Sequence, residues 1–567
     1  MRLLRTTLFL CLCLGGAACR EAPPPADLVL RGGTIVTLDP SHPRGQALAA
    51  RGGRIVAIGS EDEIAPLLGP RTRVLDLTGK TAYPGFIEGH GHLTGLGRAR
   101  RTVDVSQART WEEVVELIRR EAERRPAGSW VLGWGWHQEK WDRKPQPNVE
   151  GYPTHAALSQ AVPDHPVILK HAAGGHLGIV NAAALRLARI DRRTPDPAGG
   201  EILHDGRGEP TGVLRENAYD LALRAYESTR TPEQRAAETR LEVTVAMEEC
   251  LRKGITSFQD LHSPFADIDV FRAMAAEGKL PVRLYVMVQE PNQVLRARLK
   301  DYRWIGLEDD HLTVRAIKKQ IDGALGAHGA WLLEPYADLP SSSGLETETV
   351  ADIEEAADIA LEHGFQLAVH AIGDRANRET LDLFARAFQK RPPKEPPRFR
   401  IEHAQLLHPA DVPRFKELDV LASMQGIHCT SDGPWVPTRI GEDRARERAY
   451  VWRSLTDAGA RVSNGTDCPI EDPDPVANFA ASVTRRMGDG RAFHPEQRMS
   501  REEALRSLTS NAAFAAFEED VKGTLSPGRY ADVTVLDQDL LAVPDDALRR
   551  TRVVATIVGG QVLYEAR

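Results

Sequence analysis

The chain has 567 residues, 42% hydrophobic and 27% charged, which is material for about four ordinary domains or one large barrel with attachments. Its formal charge of −8, from 72 basic and 80 acidic residues, lacks the basic excess that a sequence-independent nucleic-acid binder needs. Ordinary counts of Gly (47), Pro (37) and Cys (6) exclude collagen, low-complexity and disulfide-scaffold chains, and beyond residue 20 no run of 18 apolar residues is present to span a membrane.

Residues 1–19 (MRLLRTTLFLCLCLGGAAC) set Arg2 and Arg5 before an apolar run from Leu8 to Leu14, followed by small residues from Gly15 to Ala18. This is the layout of an export signal peptide, too short to anchor as a helix. The small residues end at Cys19 in a stretch that resembles a bacterial lipobox, with Gly16 where Leu is usual. That resemblance implies a lipoprotein exported to the bacterial periplasm, or anchored to the membrane through Cys19. Residues 20–26 (REAPPPA) read as an extended linker. The cysteines beyond the signal, Cys250, Cys429 and Cys468, are scattered and form neither a disulfide framework nor a C-x-x-C motif.

Residues 27–83 hold strand-like runs (DLVLRGGTIVTLD, RIVAIGS, TRVLDLTGKTAYP) separated by Gly-Gly and Gly-Ser turns, and residues 516–567 close with the same grammar (ADVTVLDQD, RVVATIVGGQVLYEA). Neither set can bury a face alone, so the two are expected to pack as one small β-sandwich built from both chain ends. Across residues 84–515, apolar runs ending in polar residues alternate with helical patterns such as TVADIEEAADIALEHG. The runs are PVILKHAAG, ITSFQDLH, PVRLYVMV, LTVRAIKKQIDG, FQLAVHAIGD, FRIEHAQ, VLASMQ and RVSNGTD. The alternation predicts an α/β chain folded as a (β/α)8 TIM barrel, with an insertion at about residues 100–250 where the pattern is less regular.

Gly79-Lys80-Thr81 is a turn rather than a phosphate loop, because position 74 is Val, and neither G-x-S-x-G nor a strand-linked G-x-G-x-x-G occurs. His90 and His92 close the run TAYPGFIEGHGH, where i and i+2 side chains share one face. Among 18 histidines such a pair arises readily by chance. Lys318, His370, His403 and Asp467 end further apolar runs, at the strand rim where barrels carry their chemistry. Imidazoles and a carboxylate suit Zn2+ and similar ions, and a carboxylate beside an ion-activated water can move its proton.

Taken together these motifs resemble the amidohydrolase superfamily, in the branch of metal-dependent hydrolases that contains N-substituted formamide deformylases (amidohydrolase family 3). The stretches that carry the resemblance are PGFIEGHGH, IKKQIDGALG, VHAIGDRAN, RIEHAQ and NGTDCP, with GWGWHQEKW, GGHLGIVNAAAL, GVLREN and the closing TSNAAFAAF and GTLSPGRYADVTVLDQD. They run from about residue 27 to the end. The resemblance implies two divalent metal ions, Zn2+ by donor type, with a one-ion site as the alternative. His90, His92 and Asp467 would hold the first ion, and His370 and His403 the second. Lys318, as N6-carboxylysine, would bridge them; its neighbour Lys319 would point away from the barrel interior. The implied reaction is hydrolysis of a non-peptide C–N bond, in an amide or an N-acyl or N-formyl compound, by metal-activated hydroxide, with Asp467 as general base and then general acid. Esterase, lactonase or carbamate hydrolase chemistry on the same site, and a catalytically silent binding lipoprotein, are the alternatives. His176, Trp134 and Trp136, the last with Trp141 nearby, are candidate substrate contacts. The implied partner is a small-molecule substrate, with no nucleic acid and no membrane contact beyond a lipid anchor; the barrel rim and the insertion leave room for a homo-oligomer interface.

Overall fold

The computed structural model of the protein describes residues 23–172 and 176–566; the export signal expected at residues 1–19 and the lipidation expected at Cys19 lie outside the described residues. Eight strands follow one another around a nearly closed barrel: β1 (Phe86–Gly91), β2 (Ile255–Ser263), β3 (Arg283–Val288), β4 (Leu312–Gln320), β5 (Gln366–Ala371), β6 (Arg400–His403), β7 (Leu421–Met424) and β8 (Val462–Asn464). Each pairs in parallel with its neighbour. Their near-continuous apolar character follows from burial on both faces, by the barrel interior and by the helical layer. The helix Val350–His363 shows how that layer is specified. The Thr349 side chain accepts from Asp352 N at its start, Gly364 ends it in the left-handed region (φ 70°), and Ile353, Ala356, Ala357 and Ala360 are buried along one face.

The seam between β8 and β1 is short. Asp467 N donates to His90 O (2.7 Å), His92 N donates to Cys468 O (2.8 Å), and Gly91 bridges Cys468. Two glycines make this approach sterically feasible: a Cβ on Gly89 would lie 2.4 Å from Asn464 O, and one on Gly465 2.4 Å from His90 N. Glu88, buried beneath the seam, accepts from Thr466 N (2.7 Å), Thr466 Oγ1 (2.7 Å) and His90 N (3.2 Å).

Seven of the eight runs expected as barrel strands are barrel strands, and the eighth place is taken by Phe86–Gly91. PVILKHAAG is the correction. Its strand, Val167–His171, lies in a separate six-stranded mixed sheet between β1 and β2, parallel to Val131–Trp136 on one side and antiparallel to Leu177–Val180 on the other. A strand buried on both faces reads the same in either sheet, so its apolar run could not reveal which one it joins. This second sheet has apolar clusters of its own, around Ile118, Val131 and Leu169 and around Ile168, Leu214 and Tyr219. It forms a cap over the C-terminal mouth of the barrel.

The two chain ends form a four-stranded and a six-stranded sheet with a common core that joins Leu30, Ile35 and Leu48 to Val533, Val535 and Ile557. Thr81–Pro84 pairs antiparallel with Val533–Leu536, so one sheet contains residues from both ends. The sheets are fastened to the starts of the barrel strands. Thr534 Oγ1 donates to Gly254 O (2.5 Å), and the buried Arg283 guanidinium spans Asp532 at 2.7 and 3.2 Å. Asp532→Ala strands a buried guanidinium, so it should destabilise the fold by about 3–5 kcal/mol. A urea titration followed by far-ultraviolet circular dichroism checks this, with a clear fall in midpoint expected.

Candidate metal centre

His90 ends β1, and the strand's alternation would send His92 the same way. Asp467 reaches them across the seam: its Oδ1 lies 3.4 Å from His90 Nε2 and 3.0 Å from His92 Nε2. From the opposite wall come His370 on β5 and His403 on β6, whose rings lie 4.5 Å apart, with His403 4.6 Å from the His90 ring. In a regular strand His403 would face away from the interior that its neighbour Glu402 occupies. A left-handed backbone at His403 (φ 72°) and Ala404 (φ 43°) turns it into the cluster, and Asp467 is held in the same region (φ 55°). Such strain in non-glycine residues is stored where the surrounding structure fixes it, commonly at functional sites.

Under the imidazoles lies a buried ion chain. Arg400 bonds Glu402 Oε1 (2.5 Å) and reaches Gln259 Oε1 of β2 (2.5 Å), Gly89 O of β1 (2.9 Å) and Ser423 Oγ of β7 (2.7 Å). Glu402 Oε2 accepts from His90 Nδ1 (2.6 Å), leaving His90 Nε2 turned toward Asp467. His403 Nδ1 is fixed by Gln425 Oε1 (2.8 Å) in the same manner. Ligand imidazoles ordinarily have their second nitrogen held in this way.

Electrostatics favour the ligand forms of three of the four imidazoles and of both carboxylates. Burial pushes His92, His370 and His403 down, keeping them as neutral imidazoles. Burial also opposes the charged form of His90, but Asp467 and Glu402 outweigh it and raise that imidazole. For Asp467 and Glu402 burial works upward and is overcome. His90 and His92 hold Asp467 well below the usual carboxylate range, and Arg400 with His90 does the same for Glu402. Asp322 also accepts from Ile372 N (3.0 Å), Gly373 N (2.7 Å) and Trp331 N (2.9 Å), tying together the loops after β4 and β5, and burial raises it to about 7.

The donor set suits a cation. His370 Nε2 and His428 Nε2 are buried without a hydrogen-bond partner among the described residues, a cost of about 1–3 kcal/mol each if left unmet. Two sets of ligand atoms converge to within 4.8 Å, His90–His92–Asp467 and His403–His428–Asp467, and they share Asp467. The expected members Lys318 and His370 line the same cavity but belong to neither set. Lys318 is buried and pushed down, first by desolvation, whereas Lys319 turns away to Glu290 O (3.2 Å) and Glu348 Oε2 (3.0 Å).

A larger cavity of about 360 Å3 and a smaller one of about 70 Å3 meet over this cluster, with His176, His403, Asp467 and Ile470 lining both. His176 comes from the cap, 5.1 Å ring to ring from His370, and its Nδ1 contacts Glu216 Oε2 (2.7 Å). Trp134 lines the larger cavity. Trp136 lines neither. It is fully buried in the cap's core, donates to Leu169 O (3.0 Å) and stacks on Trp141, because a glycine at φ 98° between the two tryptophans breaks their common face. Sequence reading missed Glu402, Arg400, Glu216, His262 and His428. Arg400 and Glu402 left a signal, two charges at i and i+2 inside an apolar strand, whereas His428 lies on a helix (Gly426–Asp432) where nothing marks it.

A parallel barrel whose C-terminal rim gathers imidazoles and carboxylates in this way is that of a metal-dependent hydrolase. The chain belongs to the amidohydrolase family, whose model matches residues 73–564. It is 32% identical to a Bacillus subtilis protein designated amidohydrolase YtcJ, over 95% of this chain and 99% of that one. It is 29% identical to the N-substituted formamide deformylase of Arthrobacter pascens, over 95% and 98%. The crystal structure of an uncharacterized metal-dependent hydrolase from Pyrococcus horikoshii superposes with a TM-score of 0.72 at 28% identity, covering 92% of this chain and 99% of that one.

Glu402→Gln keeps the shape and removes the charge that orients His90. It should weaken metal binding about 10- to 100-fold, read by competition with a chromogenic chelator.

Proposed function

We propose that this member of the family hydrolyses a C–N bond other than a peptide bond, in an amide or N-acyl compound, with two divalent ions, Zn2+ by donor type. His90, His92 and Asp467 hold one ion; His403 with His370 and a carboxylated Lys318 hold the other. The observation that carries this reading is Asp467, whose carboxylate converges with His90 and His92 on one side and with His403 on the other. Bound ions supply Lewis acidity toward a carbonyl and acidify water. Asp467, kept ionised by His90 and His92, accepts the proton of the attacking water and returns it to the leaving nitrogen. His176, braced by Glu216, faces the same point from the cap and positions the substrate there, while the cap limits access of bulk water.

Lys318 meets the chemical requirement for carboxylation. Desolvation favours its neutral amine, which adds to CO2 with loss of one proton and becomes an anionic oxygen donor. The name of the Arthrobacter relative makes N-substituted formamides the first compounds to assay. The two end sheets are read as one β-sandwich seated on the barrel, and residues 1–19 as the signal for export with lipid attachment at Cys19.

Metal analysis by plasma mass spectrometry of protein grown with Zn2+ and bicarbonate tests the reading. About two equivalents are expected, falling sharply in His90→Ala/His92→Ala together with hydrolysis of N-substituted formamides. A metal-free, fully folded protein would overturn it. Lys318→Ala should lose the second equivalent and at least 100-fold in rate; full activity in that variant would remove the carboxylysine from the site.

A further inference from the structure

Beside the metal cluster the cap contributes a cation with no assigned task. Strands Val131–Trp136 and Val167–His171 are parallel neighbours, and Trp134 is the register partner of Lys170. Alternation sorts their residues: Leu132, Trp134, Ile168 and Lys170 line the larger cavity, while Val131, Val167 and Leu169 enter the cap's core. The other charged groups on that wall are mostly engaged. Arg98 clasps Glu242 at 2.8 and 3.2 Å, Glu348 takes Lys319, and Glu216 holds His176. Asp220 sits in the first turn of the helix Tyr219–Ser228, where Arg224 and Glu216 are the charges that act on it. The Lys170 ammonium forms no ion pair or hydrogen bond among the described residues and feels Arg98 and Asp467 only through space. The Trp134 ring lines the cavity beside it, with its indole N–H buried.

We infer that Lys170, with Trp134 beside it, binds a carboxylate on the amine half of the substrate, so that the compounds cleaved are short N-acyl derivatives of aliphatic amino acids. The inference rests on the amide-hydrolase reading above and deepens it. An unpaired ammonium flanked by the Trp134 ring, on a wall where Arg98 is already held by Glu242, suits a carboxylate. Burial, with Arg98 adding to it, lowers the Lys170 ammonium to about 8, so it stays largely charged at neutral pH, and a bound carboxylate would raise it again. The cavity of about 70 Å3 has room for a formyl or acetyl group, and the cavity of about 360 Å3 for the amine half, whose alkyl side chain meets Leu132, Ile168, Leu223 and Tyr226. The reaction balances without a co-reactant: the N-formyl amino acid and one water give formate and the amino acid zwitterion, the C–N bond breaking as the C–O bond forms.

The test compares N-formylleucine (both enantiomers) with N-formylisopentylamine, which differs by the carboxylate alone. It uses the metal-loaded wild type, Lys170→Met and Lys170→Arg. The wild type should favour N-formylleucine about 10- to 100-fold through KM, Lys170→Met should bring that ratio near one, and Lys170→Arg should keep most of it. A calorimetric titration with 4-methylpentanoate against 4-methylpentan-1-ol gives a readout free of turnover, and carboxylate binding should weaken by the same factor in Lys170→Met. If both formamides are cleaved with equal KM, or Lys170→Met leaves the ratio and the titration unchanged, the carboxylate site is wrong and the amide reading stands. If neither formamide is cleaved but Lys170→Met still abolishes carboxylate binding, the site stands and the amide reading is wrong.

Discussion

The chain from Arg400 through Glu402 to His90 is the interaction on which the rest of this molecule depends. A guanidinium with no exposure inside a barrel is tolerable only if nearly every N–H finds an acceptor, and Arg400 finds them on three other strands as well as on Glu402. That requirement fixes how β1, β2, β6 and β7 sit relative to one another. Glu402, kept ionised by the same guanidinium, spends its second oxygen on His90 Nδ1 and so sets the direction of Nε2. Barrel geometry and ligand geometry are therefore one hydrogen-bonded network, and neither can relax without disturbing the other.

The fold was largely legible because strand–helix alternation is a strong pattern and rim residues carry chemistry whatever the substrate. His90, His92, Lys318, His370, His403 and Asp467 all come to one cavity from strand ends. Legibility failed where local pattern does not encode long-range partner. PVILKHAAG reads as a barrel strand because burial on two faces looks alike in any sheet. Trp134 and Trp136 look equivalent until Gly135 (φ 98°) divides the cavity wall from the cap core. His428 joins His403 and Asp467 from a short helix whose position depends on contacts far away in sequence, including Asn478 Oδ1, which accepts from Ile427 N (2.9 Å).

Labour is divided between two layers. Barrel strands supply the groups that gather around Asp467, all rigidly backed by neighbouring side chains. The cap supplies His176, Trp134 and Lys170, which line the same cavity. Chemistry can thus stay constant while the cap varies, which is how one barrel serves many substrates.

The pooled core of the two chain ends has a consequence for how the protein is made. Leu30, Ile35 and Leu48 are synthesised long before the residues that cover them, Val533, Val535 and Ile557. No nascent chain that stops short of Val533 can bury that surface. The barrel seam has the same property, since Asp467 must be present before His90 has its partner. A truncated copy therefore exposes apolar sheet faces and an unfinished barrel edge together, a combination that invites aggregation and proteolysis. The topology makes synthesis through that closing sheet a condition of stability.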